Sequence, residues 1–203
     1  MHRVDAEAPY ERALKRIVSA TPWLLEALSA LRSCGLPCSY LAAGAIRNTV
    51  WDHLHDRVST GPTGDLDVVY FDPSDAPTHA EAALHAAFPH YRWEVTNQAV
   101  VHRWQSVDAG RAIAPYPSLR AALGSWPETA TAIAVRLTAS DELEFEAPFG
   151  LTDLFELRLR ANPGASNLAA FAARCREKGW QRRWPKLVCD KFSAGWPGTT
   201  LAE

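Results

Sequence analysis

What this 203-residue chain lacks narrows its reading first. No stretch approaches the roughly 18 consecutive apolar residues of a membrane span, and the opening MHRVDAEAPYERALKRIVSA holds no apolar secretory core. The expectation is a cytoplasmic protein with no membrane partner. A surplus of one charge is missing too. Lys and Arg number 21 against 23 Asp and Glu, a formal charge of -2, so no basic field holds a nucleic-acid backbone by counterion release. Bulk DNA is thereby disfavoured as a partner. Cysteine is sparse. Cys34, Cys38, Cys175 and Cys189 are too few for a disulfide scaffold, and no second Cys or His pair repeats at structural-zinc spacing, so reduced thiols are expected. Also absent are a Gly-x-Ser-x-Gly elbow, a Gly-x-x-x-x-Gly-Lys-Ser/Thr loop and a Gly-x-Gly-x-x-Gly fingerprint.

What is present suits one globular domain over 1–203: 47% hydrophobic and 22% charged residues, with no repeat or linker. Its core is expected over about 36–162, with C-terminal helices over 163–195 packed on it and a loose tail from Trp196. Thr21 and Pro22 read as N-cap and first helical residue of an amphipathic helix closed by Gly35. Cys38 to Ala43 reads as a buried strand, Ala45 to Arg57 as a helix, and DLDVVYFD from Asp65 as a second strand. Ala76 to Phe88 reads as a helix and Tyr91 to Val101 as a strand that turns near Asn97. Ala132 to Leu137 and Glu142 to Ala147 read as a hairpin; Gly150 to Leu159 and Asn167 to Lys178 read as helices. The fold class is α+β, with a mixed sheet flanked by helices and a C-terminal helical extension.

Chemistry concentrates at AGAIRN, Ala43 to Asn48, and at DLD, Asp65 to Asp67. A glycine between strand and helix admits an anion to the backbone, and the helix that follows presents unpaired N-H groups and a positive dipole end. Gly44, Ala45, Arg47 and Asn48 are therefore candidate phosphate-binding residues, Arg47 through a bidentate contact. Asp65 and Asp67, two apart on a strand, project from one face while Leu66, Val68 and Tyr70 face the core. Such a pair suits Mg²⁺ or Mn²⁺ completing its shell with the phosphates of an NTP. Arg47 equally reads as a surface partner of Asp52 or Asp56, and Asn48 as a local cap. His53 and His55 point apart on their helix.

A glycine turn, a helix and an Asp-Leu-Asp strand in that order resemble the polymerase-β-type nucleotidyltransferase superfamily. More closely, AAGAIRNTVWDHLHD, DLDVVYFD, WEVTNQAVVH and APFGLTDLF look like a group of bacterial nucleotidyltransferase family proteins, over about Leu41 to Asn162. The resemblance implies that both aspartates and a third carboxylate on a neighbouring strand bind two metals. Glu94 is the candidate for that third position, where the superfamily commonly has Asp; Glu144 and Glu146 are the alternative, and read equally as a solvated edge strand. Asn97 and His102 are possible site-lining residues, or structural hydrogen-bonding groups.

The resemblance implies metal-dependent transfer of a nucleoside monophosphate from an NTP to a hydroxyl. The alternative is an inactive nucleotide-binding or partner-binding protein on the same fold. Near-neutral charge favours a small-molecule or protein acceptor over RNA. Lys and Arg do thicken between Arg174 and Lys191, interleaved with Trp180 and Trp184, so an RNA end remains compatible; the same residues read as a solvated helix face over packed tryptophans.

Overall fold

A computed structural model describes residues 4–164 and 168–189. Its first two helices, α1 (Val4–Ser19) and α2 (Pro22–Ser33), precede β1 (Tyr40–Ala42), α3 (Gly44–Leu54) and β2 (Leu66–Tyr70). Next come α4 (Ala80–Ala87), β3 (Trp93–Asn97), α5 (His102–Ala109) and α6 (Leu119–Leu123). A 3₁₀ turn at Thr129–Thr131 leads into the hairpin of β4 (Ala134–Leu137) and β5 (Leu143–Glu146). The chain continues through α7 (Thr152–Phe155), β6 (Arg158–Leu159), α8 (Leu168–Lys178), α9 (Trp180–Arg183) and β7 (Val188–Cys189). The expected mixed sheet flanked by helices is therefore present.

Five strands pair in the order β3-β2-β1-β4-β5, with β2 and β3 parallel and the other neighbours antiparallel. Alternation along β2 sends Leu66 and Val68 into the main core, where both are fully buried. Val69 faces the other way, onto Leu119 and Leu123 of α6. Each face of the sheet thus buries one set of side chains beneath helices, and Asp67 shares the α6 side with Val69.

The main core extends from Leu14, Ile17 and Val18 of α1 to Trp180, Trp184 and Leu187 near the C-terminus. Trp51 of α3 joins the two ends, its ring 6.2 Å from Trp180 and 5.2 Å from Trp184 in edge-to-face contacts. Trp180 and Trp184 thereby pack against α3 and the main core. The tail from Trp196 lies outside the described residues.

Several local expectations change. Cys38 has φ 49°, which delays the first strand to Tyr40. The helix read from Ala45 begins at Gly44 and ends at Leu54, with left-handed Asp56 beyond it. Thr21 Oγ1 donates to Ile17 O instead of capping α2. The helix read over Gly150 to Leu159 is only the single turn α7: Leu157 adopts φ 57°, and Arg158 and Leu159 then pair with Val188 and Cys189. The short two-stranded β6-β7 sheet competes successfully with helix extension there. No helix among the described residues is long and apolar enough to cross a membrane.

Candidate functional site

Strand register brings the two chemical segments together. Tyr40 and Leu41 pair antiparallel with Val69 and Val68, so the end of β1 lies beside the start of β2. Continuing that register sets Ala43 beside Leu66, and the turn into α3 beside Asp65. Ala43 holds φ 49° and ψ -119°, a conformation normally reserved for glycine. Gly44 has no such φ. A Cβ there would meet only Asn48 Nδ2 at 3.6 Å and Arg47 Nη2 at 3.9 Å, ordinary contact. The conformational demand anticipated at Gly44 falls one residue earlier.

On the sheet's α6 side, Asp67 and Glu94 are register partners across β2 and β3. Burial, then the charges of Glu94 and Asp65, push the Asp67 carboxyl up to about 6, against the pull of Arg47 and Lys178. Asp65 Oδ1 is buried without a hydrogen-bond partner. Arg92 Nε stands 3.0 Å from that oxygen, an ion-pair distance without the alignment of a hydrogen bond. Among the described residues no three acidic, His or Cys side chains are arranged around one point as a metal cage.

Cations and indoles line the same space as the carboxylates. Arg47 is 5% exposed, which overturns its reading as a surface partner of Asp52 or Asp56. Its Nη1 donates to Thr131 Oγ1 at 2.6 Å, and Nε and Nη2 both donate to Asn48 Oδ1. Its guanidinium carbon lies 5.0 Å from the Trp51 ring centroid and 4.6 Å from that of Trp180. Burial lowers its pKa to about 10, still cationic at neutral pH, with Glu128 supporting the charge and Arg174 opposing it. Asn48 is no backbone cap: its Nδ2 donates to Thr63 Oγ1 at 2.8 Å, tying α3 to the Pro/Gly loop. Asp52 accepts from Trp184 Nε1 at 2.8 Å and from Arg183 at 3.3 Å, fastening α9 to α3.

These groups surround one cavity of about 390 Å³. All seven core candidates line it: Gly44, Ala45, Arg47, Asn48, Asp65, Asp67 and Glu94. Arg174, Lys178, Trp180, Arg183 and Trp184 also line it, so the basic C-terminal segment faces the carboxylates rather than forming only a solvated helix face. Sequence reasoning noted that segment's charge and tryptophans without placing them at the site. It missed Thr131 and Trp23, which also line the cavity and lack any local motif.

Asn97 and His102 are placed elsewhere. Asn97 Nδ2 donates to Asp72 O and its Oδ1 accepts from the backbone of Asp72 and Ala99, while His102 Nδ1 lies 3.0 Å from Ala99 O. Both serve local structure, and neither lines the cavity. Glu144 and Glu146 sit on the opposite sheet edge, paired with Arg136 and Arg120, which removes them as alternative third ligands. All four cysteines are free.

Comparison with known proteins agrees with this architecture. A family profile described as Nucleotidyltransferase matches residues 29–189. One NMR structure, described as revealing a CCA-adding enzyme head domain, is 31% identical with a TM-score of 0.74, covering 88% of this chain and 94% of that one. A tRNA-processing enzyme in an apo form is 17% identical with a TM-score of 0.45, covering 78% of this chain and 43% of that one. No curated protein matches. With its glycine turn, β2 carboxylates and sheet order inside a family match spanning most of its length, the chain belongs to the nucleotidyltransferase family, on the fold of the polymerase-β-type superfamily.

Proposed function

We propose that the cavity binds the triphosphate of an NTP between the α3 turn and the arginine wall, and that the nucleoside monophosphate passes to a hydroxyl acceptor. The observation that carries this reading is that Asp65, Asp67 and Glu94 line one cavity together with Arg47, Arg174 and Lys178. The acceptor oxygen forms a bond to the α-phosphorus, the bond to the β-bridging oxygen breaks, and pyrophosphate leaves. The hydroxyl proton goes to a carboxylate of the cluster. Arg47 and Arg174 offset phosphate charge, and the N-terminal N-H groups of α3 add donors.

The donor set suits a hard cation such as Mg²⁺ or Mn²⁺. Asp65 Oδ1 is a buried oxygen with no hydrogen bond and only the Arg92 ion pair, and Asp67 is a carboxylate whose charge a cation would relieve. Asp65, Asp67 and Glu94 do not form a ready-made cage, and would hold the ion only by drawing together around it, with substrate phosphate oxygens completing its shell. When bound, the metal supplies charge neutralisation of the triphosphate and activation of the acceptor hydroxyl.

A small-molecule or protein hydroxyl is the preferred acceptor. Arg47, Arg174 and Arg183 are engaged by Thr131, Glu128 and Asp52, so the cavity's cations form a wall suited to a polyphosphate rather than a broad basic face. The likeness to a protein described as a CCA-adding enzyme head domain supports an RNA end as the second reading. Incubating the protein with each α-³²P-labelled NTP, Mg²⁺ or Mn²⁺, and either total RNA or a metabolite and protein extract separates the two. Label is expected in the small-molecule or protein fraction. Label confined to RNA overturns the acceptor preference, and label in no fraction overturns the transfer reading.

A further inference from the structure

Behind the arginine wall lies a carboxylate that neither the turn nor the DLD strand accounts for. Glu128 is 0% exposed, immediately before the 3₁₀ turn, and does not line the cavity. Its Oε1 accepts from Arg174 Nε at 2.5 Å, while Oε2 is buried without a hydrogen-bond partner. Three residues on, Thr131 Oγ1 accepts from Arg47 Nη1. One indole serves both guanidinium groups: the Trp180 centroid is 4.6 Å from the Arg47 carbon and 5.8 Å from that of Arg174. Two like charges therefore share one aromatic ring and one buried anion, and both border the cavity.

A buried carboxylate with one oxygen unsatisfied contributes little to stability, since desolvation opposes the attraction it gains and a packed apolar side chain would serve as well. Its geometry suits another use. Glu128 fixes the Arg174 side chain through Nε and offsets the repulsion between Arg174 and Arg47. We propose that Glu128 is a positioning residue that acts through Arg174 to preorganise a two-arginine clamp for the polyphosphate of the nucleotide. The proposal rests on the nucleotide reading of the cavity.

The test compares wild type, Glu128→Gln, Arg174→Gln and the double variant. Probes are inorganic tripolyphosphate and the α,β-methylene analogue of ATP, which cannot be transferred, with binding measured by calorimetry. Glu128→Gln keeps the shape and removes the charge; it is expected to weaken both probes about tenfold, as is Arg174→Gln, equivalent to about 1.4 kcal/mol each. The double variant is expected to be no weaker than either single one, because one residue acts through the other. For nucleotide transfer, KM for the NTP should rise about tenfold while kcat changes less than threefold, a split that general loosening of the fold does not produce. Wild-type-like binding by Glu128→Gln, or losses that add in the double variant, overturns the clamp while leaving the nucleotide reading intact. Wild type that binds neither probe overturns both. Should Glu128→Gln fail to fold, Arg174→Gln on its partly exposed helix decides alone, and wild-type affinity there overturns the proposal.

Discussion

Asp67 and Glu94 stand opposite one another across the parallel β2-β3 pair, on the same face of the sheet. Like charges at directly paired positions destabilise a sheet, and here burial deepens the conflict.

Replacing Asp67 by Asn should therefore stabilise the metal-free protein. The carboxyl rises from its ordinary 3.8 to about 6, so the folded state favours its protonated form. That contribution is fully present below about pH 3.8 and is lost as pH rises through 6. Above pH 7 the loss is on the order of 2 kcal/mol once solvent screening is allowed for. Urea denaturation in EDTA at pH 7.5 should find Asp67→Asn more stable by about that amount, with the difference closing towards pH 4. A less stable variant at pH 7.5 would contradict the assigned repulsion.

Divalent cations should act in the opposite sense. A cation that binds the folded wild type at about 100 times its Kd adds roughly 2.7 kcal/mol, read as a rise in Tm on adding Mg²⁺ or Mn²⁺. The Asp67→Asn and Glu94→Gln variants should lose most of that rise, and both should lose nucleotide transfer. Equal metal-induced shifts in all three proteins would place the ion elsewhere.

The β-strand pair that creates this site was legible because its signals are local. DLDVV alternates, WEV follows a helix break, and the register of β2 with β3 then makes Asp67 and Glu94 neighbours. The cavity's other wall was not. Thr131 reaches Arg47 across 84 positions, and Trp180 and Trp184 reach Trp51 from the far end of the chain. Such contacts leave no periodicity. Arg47 reads equally as a phosphate ligand and as a surface partner of Asp52 or Asp56, because its actual partners include a distant hydroxyl and distant indole groups. Asn97 ends the strand that carries Glu94, yet its side chain is bonded to the turn around Asp72. The helix α1 escaped notice although Leu14, Ile17 and Val18 are buried, since its charged first half masks one short apolar stripe.

Ala43 offers a test of stored backbone strain. A non-glycine residue at φ 49° and ψ -119° costs on the order of 1–3 kcal/mol. Ala43→Gly should relieve it, while forfeiting the packing of a methyl group that is 8% exposed. The expected net effect is stabilisation of about 0.5–1 kcal/mol, measured by thermal or urea unfolding. Ala43→Val should instead destabilise, because a β-branched side chain fits that region worse. Destabilisation by glycine of more than about 1 kcal/mol would show that packing outweighs strain.

Asp52 fastens the C-terminal wall to α3, and its removal should affect stability and nucleotide affinity together. It is 4% exposed, with Oδ1 accepting from Trp184 Nε1 and Oδ2 from Arg183. Asp52→Ala strips a fully buried indole N-H of its acceptor and leaves the Arg183 guanidinium without this anion, a loss of about 2–4 kcal/mol. Asp52→Asn retains the amide oxygen for Trp184 and loses only the charge, so about 1 kcal/mol is expected. Trp184 and Arg183 both line the cavity, and a loosened α9 also frees Trp180 from beneath Arg47. Nucleotide binding should consequently fall in the order wild type, Asp52→Asn, Asp52→Ala, measured at a temperature where all three remain folded. An Asp52→Ala protein that is destabilised yet binds nucleotide as tightly as wild type would separate the fastening of α9 from the shape of the cavity.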